Sequence, residues 1–185
     1  MTRDPSKGWR IRKIVSGGQT GVDRAALDAA LAAGAPIGGW CPRGRRAEDG
    51  PIPERYPLTE THRRDYAERT AWNVRDSDAT LVLVSGKGGN MGGGKSGGGK
   101  AGGGTAGGGT ASKGTALTIA LTEKLGRPCL AVTPETDPAA LRSWLARHGV
   151  AVLNVAGPRE SEAPGIYDRA RALLDALLES SLGAS

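Results

Sequence analysis

A chain of 185 residues, 38% of them hydrophobic, is long enough for one domain with a real core, with or without a long insertion. It has no apolar run approaching the ~18 residues of a membrane span and opens on a polar, basic stretch without a secretory signal, so the cytoplasm is the expected location. A net charge of +6 with only 4% aromatics and no phenylalanine suits a small anionic ligand, and argues against nucleic acid, whose bases need stacking platforms.

Residues 1–10, carrying Arg3, Lys7 and Arg10, read as a flexible basic arm, and 11–182 as a single domain. The apolar run Ile11 to Val15 ends at Gly17-Gly18 and passes into an alanine- and leucine-rich helical pattern from Asp23 to Ala33, closed by Gly34. Glycines at 17, 18 and 21 let a backbone approach a ligand, and the helix start that follows favours an anion. The bland alternative is a packing turn capped by Thr20 or Asp23; the spacing G-G-x-x-G is not the dinucleotide fingerprint. Pro36 to Trp40 is a short second strand. Cys41 to Pro53, dense in proline, glycine and charge, is a loop in which Arg43, Arg45 and Arg46 either clamp a phosphate or pair with Glu48 and Asp49. Neither Cys41 nor Cys129 belongs to a metal spacing or a disulfide framework.

A helix over about 63–74 precedes Ala79 to Val84, an uninterrupted apolar run typical of a strand buried on both faces. Residues 86–109 then hold 15 glycines in 24, in repeats such as GGGKS and GGGTA, and predict a low-complexity loop over 86–111. Within it Gly89 to Ser96 matches the Walker A pattern, but Gly97-Gly98-Gly99 follows where a P-loop must begin a helix, so the match is discounted in favour of a mobile loop. Ser112-Lys113-Gly114-Thr115 opens a helix to about Leu125, a second glycine–hydroxyl helix start. Cys129 to Val132 is the fourth strand, Asp137 caps a helix opened by Pro138, and Val150 to Val155 is the fifth strand. Ala170, Leu173, Leu174, Leu177 and Leu178 line one face of a last helix.

Strands alternating with helices predict an α/β fold, a Rossmann-like doubly wound parallel five-stranded sheet in a single domain with the glycine-rich loop as an insertion. With a strand order 2-1-3-4-5 the ligand crevice falls at the carboxyl ends between the first and third strands. There loop 16–21 faces loop 85–115, and both helix starts converge on one anion.

Ser16 to Asp28 (SGGQTGVDRAALD), Gly39 to Gly50 (GWCPRGRRAEDG), Arg69-Thr70 with Asn73-Val74, and Gly157-Pro158-Arg159-Glu160-Ser161 with Pro164-Gly165-Ile166-Tyr167 together resemble the molybdenum carrier family, a branch of the SLOG superfamily. The likeness covers nearly the whole chain outside the arm and the glycine repeats. It implies binding of molybdenum cofactor (molybdopterin), a pterin with a terminal phosphate and an anionic molybdenum dithiolene, held for protection or transfer. Molybdoenzymes are then the recipients, and a homo-oligomer is expected. Gly114, Thr115 and Thr118 match the family's glycine turn, although the long insertion replaces a shorter turn before it. With them, Gly17, Gly18, Gln19, Thr20, Gly21, Asp23, Arg24, Arg43 and Arg45 complete the candidate binding set; no catalytic or metal-ligating residue is assigned. The alternative is a nucleotide ligand and an enzyme related to phosphoribohydrolases, which resemble P-G-G-x-G-T-x-x-E. Here Ala116, Leu117 and Thr118 stand on the helical turn where that glutamate belongs, leaving Asp23, Glu48 and Asp49 as substitutes.

Overall fold

A computed structural model of the chain describes residues 9–86 and 113–182. In chain order the elements are β1 (Lys13–Val15), α1 (Val22–Ala32), β2 (Ile37–Gly38), β3 (Trp40–Cys41), β4 (Arg46–Ala47), β5 (Gly50–Pro51), β6 (Thr59–Glu60), α2 (Tyr66–Arg75), β7 (Ala79–Leu83), α3 (Lys113–Lys124), β8 (Cys129–Val132), α4 (Pro138–Arg147), β9 (Val152–Ala156) and α5 (Ile166–Leu182). Local chemistry sets several of these boundaries. Asp65 Oδ1 accepts from Glu68 N at 2.8 Å and starts α2, and Asp137 Oδ1 accepts from Ala139 N at 2.9 Å with Pro138 in the first turn of α4. Every residue of β7 is buried, as its unbroken apolar run predicts.

The main sheet is five-stranded and wholly parallel, which establishes the Rossmann-like single domain, but its order is β2-β1-β9-β7-β8. This corrects the expected 2-1-3-4-5: the fifth strand, not the third, lies beside the first. Leu153 of β9 pairs with Ile14 on one side and Ala79 on the other. Counted from β9 as strand one, the sheet reads 3-2-1-4-5, the usual doubly wound order entered at a different strand. The reversal point therefore falls between β9 and β7. Asp78 fixes this seam, its Oδ2 accepting from Ala151 N at 2.9 Å and Val152 N at 2.7 Å just where β9 begins.

Helices α1, α4 and α5 cover one face, over a core that includes Ile14, Leu81, Leu83, Leu153, Leu141, Leu145, Leu174 and Leu177. On the other face Val82, Val84 and Ala131 pack with Ile119 of α3. Trp9 packs on the first cluster and its indole N–H donates to Val150 O at 2.9 Å. Residues 1–8 of the expected arm, the glycine repeats and the Walker match lie outside the described residues.

The strand expected over 36–40 is split at Gly39, and the stretch after it is built rather than open. β3 pairs in parallel with β6, β4 pairs antiparallel with β5, and Cys41, Ile52, Tyr56 and Leu58 form a small core with Leu27 of α1. Burial there pushes the Cys41 thiol up from its ordinary value. Among the described residues no helix is long and apolar enough to cross a membrane.

Candidate ligand cleft

At the carboxyl end of β9, beside the reversal point, lies a cleft of about 250 Å³. The β1–α1 turn contributes Gly17, Gln19 and Asp23, α2 contributes Tyr66, Arg69, Thr70 and Asn73, α3 contributes Lys113, Gly114, Thr115 and Thr118, and β9 with its following loop contributes Asn154, Gly157 and Arg159. Six of the expected residues thus share one cavity: Gly17, Gln19, Asp23, Gly114, Thr115 and Thr118. The others stand outside it.

The glycines of the first turn make room for the protein's own atoms. A Cβ on Gly17 would stand 1.5 Å from Arg69 Nη1, so the missing side chain is the space the guanidinium occupies. Arg69 Nη1 donates to Asp23 Oδ2 at 2.9 Å, and Gln19 N donates to the same oxygen at 3.3 Å. The pair is inside the protein, with side-chain exposures of 15% for Arg69 and 5% for Asp23. Gly18 has φ +74° and lies under Leu58 and Ile52, while Gly21, φ +72°, abuts the carbonyl of Pro158. The N-terminus of α1 is likewise occupied. Val22 N donates to Pro158 O at 3.2 Å and Arg24 N to Gln19 O at 3.1 Å, and no side chain caps Gly21, so neither Thr20 nor Asp23 is the cap.

Thr20 and Arg24 are engaged in a clasp between three loops. Glu48 Oε1 accepts from Thr20 Oγ1 and from Ser161 N at 3.2 Å, its Oε2 accepts from Ser161 Oγ, and Arg24 donates to both oxygens of Asp49. Burial works against the Glu48 carboxylate, yet the bonds from Ser161 and Thr20 outweigh it and hold the carboxyl below its ordinary value. The bond from Arg24 does the same for Asp49. Thr20, Gly21 and Arg24 line a separate, open depression of about 570 Å³ with Asp28, Glu48, Asp49 and Glu160, four carboxylates against Arg24 and Arg55. Glu48 and Asp49, considered as substitute acids, are therefore outside the cleft.

Arg45 is engaged by its own stretch of chain. It adopts φ +50°, and its guanidinium donates to four backbone carbonyls, those of Ile52, Leu58, Pro53 and Tyr56, at 2.9–3.2 Å. Four of its five N–H donors go into the β4–β6 stretch, and it does not line the cleft. Arg43 is exposed and lines neither cavity.

The start of α3 forms the other half of the cleft. Its first turn carries Lys113 and no acid, whereas α2 and α4 are capped by aspartates and Glu160 accepts from Gly165 N and Tyr167 N at the start of α5. Thr115 and Thr118 are buried, and Thr118 Oγ1 donates to Gly114 O at 2.9 Å. The lining carries a small positive excess: Arg69, Lys113 and Arg159 stand against Asp23 and Glu162, and Arg69 already compensates Asp23. Two guanidinium groups also flank the Tyr66 ring, Arg159 at 5.1 Å and Arg69 at 5.8 Å from its centroid. Sequence reasoning assigned no role to Tyr66, Arg69 or Arg159; Arg69 and Arg159 do stand in the stretches that carry the family resemblance. Among the described residues no group of three or more His, Cys, Asp or Glu could hold a metal ion.

The chain is similar to a crystal structure of the "Putative molybdenum carrier protein" from Syntrophus aciditrophicus SB, at 38% identity over 92% of this chain and 96% of that one, with a TM-score of 0.77. No curated protein matches. A sheet that reads as the usual doubly wound order only when counted from its final strand is what a circular permutation produces. Residues 14–178 match the SLOG family described by that rearrangement, and the chain belongs to it: the circularly permutated YpsA SLOG family.

Proposed function

We propose that this protein binds molybdenum cofactor in the cleft between the β1–α1 turn and the start of α3, and carries or protects it without chemistry of its own. The observation that carries the reading is the cleft's charge: an acid-free helix start with Lys113, beside Arg159 and a compensated Arg69–Asp23 pair, at the carboxyl end of the central strand. Such a site suits the phosphate end of a pterin ligand. The donors here are nitrogen and hydroxyl groups rather than a metal-ligand set, which fits a cargo whose molybdenum is already held by its own dithiolene. In this reading the protein works in the cytoplasm as a homo-oligomer and delivers to molybdoenzymes.

The name of the Syntrophus aciditrophicus protein supports the choice of cargo. The test is to purify the protein from a host that makes the cofactor, and to measure molybdenum together with pterin fluorescence after oxidation. Both should co-purify with the wild type, should fall together in Arg159→Ala, and the bound cofactor should survive air longer than the free form. Protein free of both that releases base from nucleoside monophosphates would overturn the carrier reading.

A further inference from the structure

Two residues of the cleft each keep a side-chain donor that nothing among the described residues uses. Gln19 is 4% exposed, and its Oε1 accepts from Thr20 N at 3.0 Å and Glu48 N at 2.9 Å. Two backbone donors on one oxygen fix which end of the amide is which, so the NH₂ group is the end left over. That Nε2 is buried without an acceptor among the described residues, and so is Arg69 Nε. Both residues line the cleft, and both approach Asp23 Oδ2, Arg69 through Nη1 and Gln19 through its backbone N. Buried donors normally find partners, so two residues lining one cleft that each keep a buried donor without an acceptor call for one from a ligand.

The charge balance says which kind of acceptor. Arg69 is already neutralised by the Asp23 carboxylate, so this corner presents N–H donors without net positive charge. An anion placed here would face the buried carboxylate, whereas the start of α3 with Lys113 offers it a better place. A neutral acceptor, the ring carbonyl of a heterocycle, suits the corner. Tyr66, between Arg69 and Arg159, gives the ring a flat neighbour in the same cleft.

We infer that Gln19 Nε2 and Arg69 Nε form a subsite that reads the ring carbonyl of an oxo-heterocycle, so that the protein selects 4-oxopterins, and equally 6-oxopurines, over their amino counterparts. The inference deepens the carrier reading above and rests on it for the pterin, though not for the carbonyl.

The probes are the fluorescent monophosphate of 6-hydroxymethylpterin and the corresponding 2,4-diaminopteridine, titrated against the full chain. Wild type should bind the oxo ring roughly tenfold or more tightly, because the amino ring leaves both donors unpaired. Gln19→Glu keeps an oxygen for Thr20 N and Glu48 N but replaces the amide donor with an acceptor, and should reverse the preference. Arg69→Lys keeps the charge beside Asp23 while removing Nε, and should narrow it. Each reading is a ratio of two rings on one protein, so general weakening of a variant does not disturb it. Equal affinity of the two rings for wild type, or an undiminished oxo preference in both variants, would overturn the subsite. Failure here leaves the carrier reading untouched if molybdenum and pterin still co-purify. Loss of those with a retained preference for inosine over adenosine monophosphate would sink the carrier and keep the subsite.

Discussion

Substituting Gly17 by alanine tests the architecture of the cleft at one atom. The backbone at Gly17 lies outside the left-handed region, so a side chain there meets no conformational penalty, only the contents of the space it enters. The new Cβ would fall 1.5 Å from Arg69 Nη1, 2.5 Å from its Cζ and 3.0 Å from Asp23 Oδ2. Arginine must swing away, leaving the Asp23 carboxylate buried with little more than Gln19 N, at 3.3 Å, as a donor. Breaking a buried ion pair costs roughly 3–5 kcal/mol, and because Arg69 can reach solvent the lower figure applies. For a chain of this size each kcal/mol moves the midpoint by roughly 2–4 °C, so a loss of about 3 kcal/mol lowers it by roughly 6–12 °C. Thermal and urea unfolding followed by circular dichroism would measure this, and a double-mutant cycle isolates the cause. In an Arg69→Ala background the clash with the guanidinium is gone and only the 3.0 Å contact with Asp23 Oδ2 remains, so Gly17→Ala should cost far less, about 1 kcal/mol or below. An equal cost in both backgrounds would refute the assignment of Gly17 as the space for Arg69.

Reversing charge at the start of α3, Lys113→Glu, should leave the helix as stable or more so, since an acid suits its first turn, yet lower affinity for a phosphorylated probe by roughly tenfold. Calorimetric titration beside a melting curve separates the two effects. Because the folded state depresses the Glu48 carboxyl, the clasp contributes stability above the ordinary value of 4.5 and loses it as pH falls through the lower folded value. Protection of the Ser161 amide, relative to its intrinsic exchange rate at each pH, should therefore fall below about pH 4.5, and Glu48→Gln should abolish that change in protection. Arg45→Ala should destabilise the β4–β6 stretch by roughly 1.5–3 kcal/mol, a loss typical of bonds made by a charged donor, without a matching loss of anion affinity.

Much of the fold follows from short-range signals. The apolar run of β7, the Asp137-Pro138 start of α4 and the Gly34 stop after α1 each lie within a few residues, and the sequence reports them. The two halves of the cleft, Gly17 to Asp23 and Gly114 to Thr118, were legible for the same reason, as glycine-rich helix starts. Strand order was not, because β9 finds its place between β1 and β7 by pairing Leu153 with Ile14 and with Ala79, partners 139 and 74 residues away, which no local pattern encodes. The loop over 41–53 read as open because its order comes from one guanidinium collecting distant carbonyls and from a small core shared with α1. The same limit hid the true tenants of the glycine turn. Arg69 reaches Gly17 from another helix, and Pro158 plugs the start of α1 from the loop after β9.

The central position of β9 also governs how the sheet can be assembled. During synthesis β1 with β2, and β7 with β8, emerge as two separate strand pairs, each with an inner edge of unpaired backbone groups facing nothing of its own. They cannot join until residues 152–156 leave the ribosome, so the last strand delivered is the keystone, and until then the nascent chain carries two sticky edges. A stop codon ahead of β9 would not trim this protein at its margin but cut it through the middle.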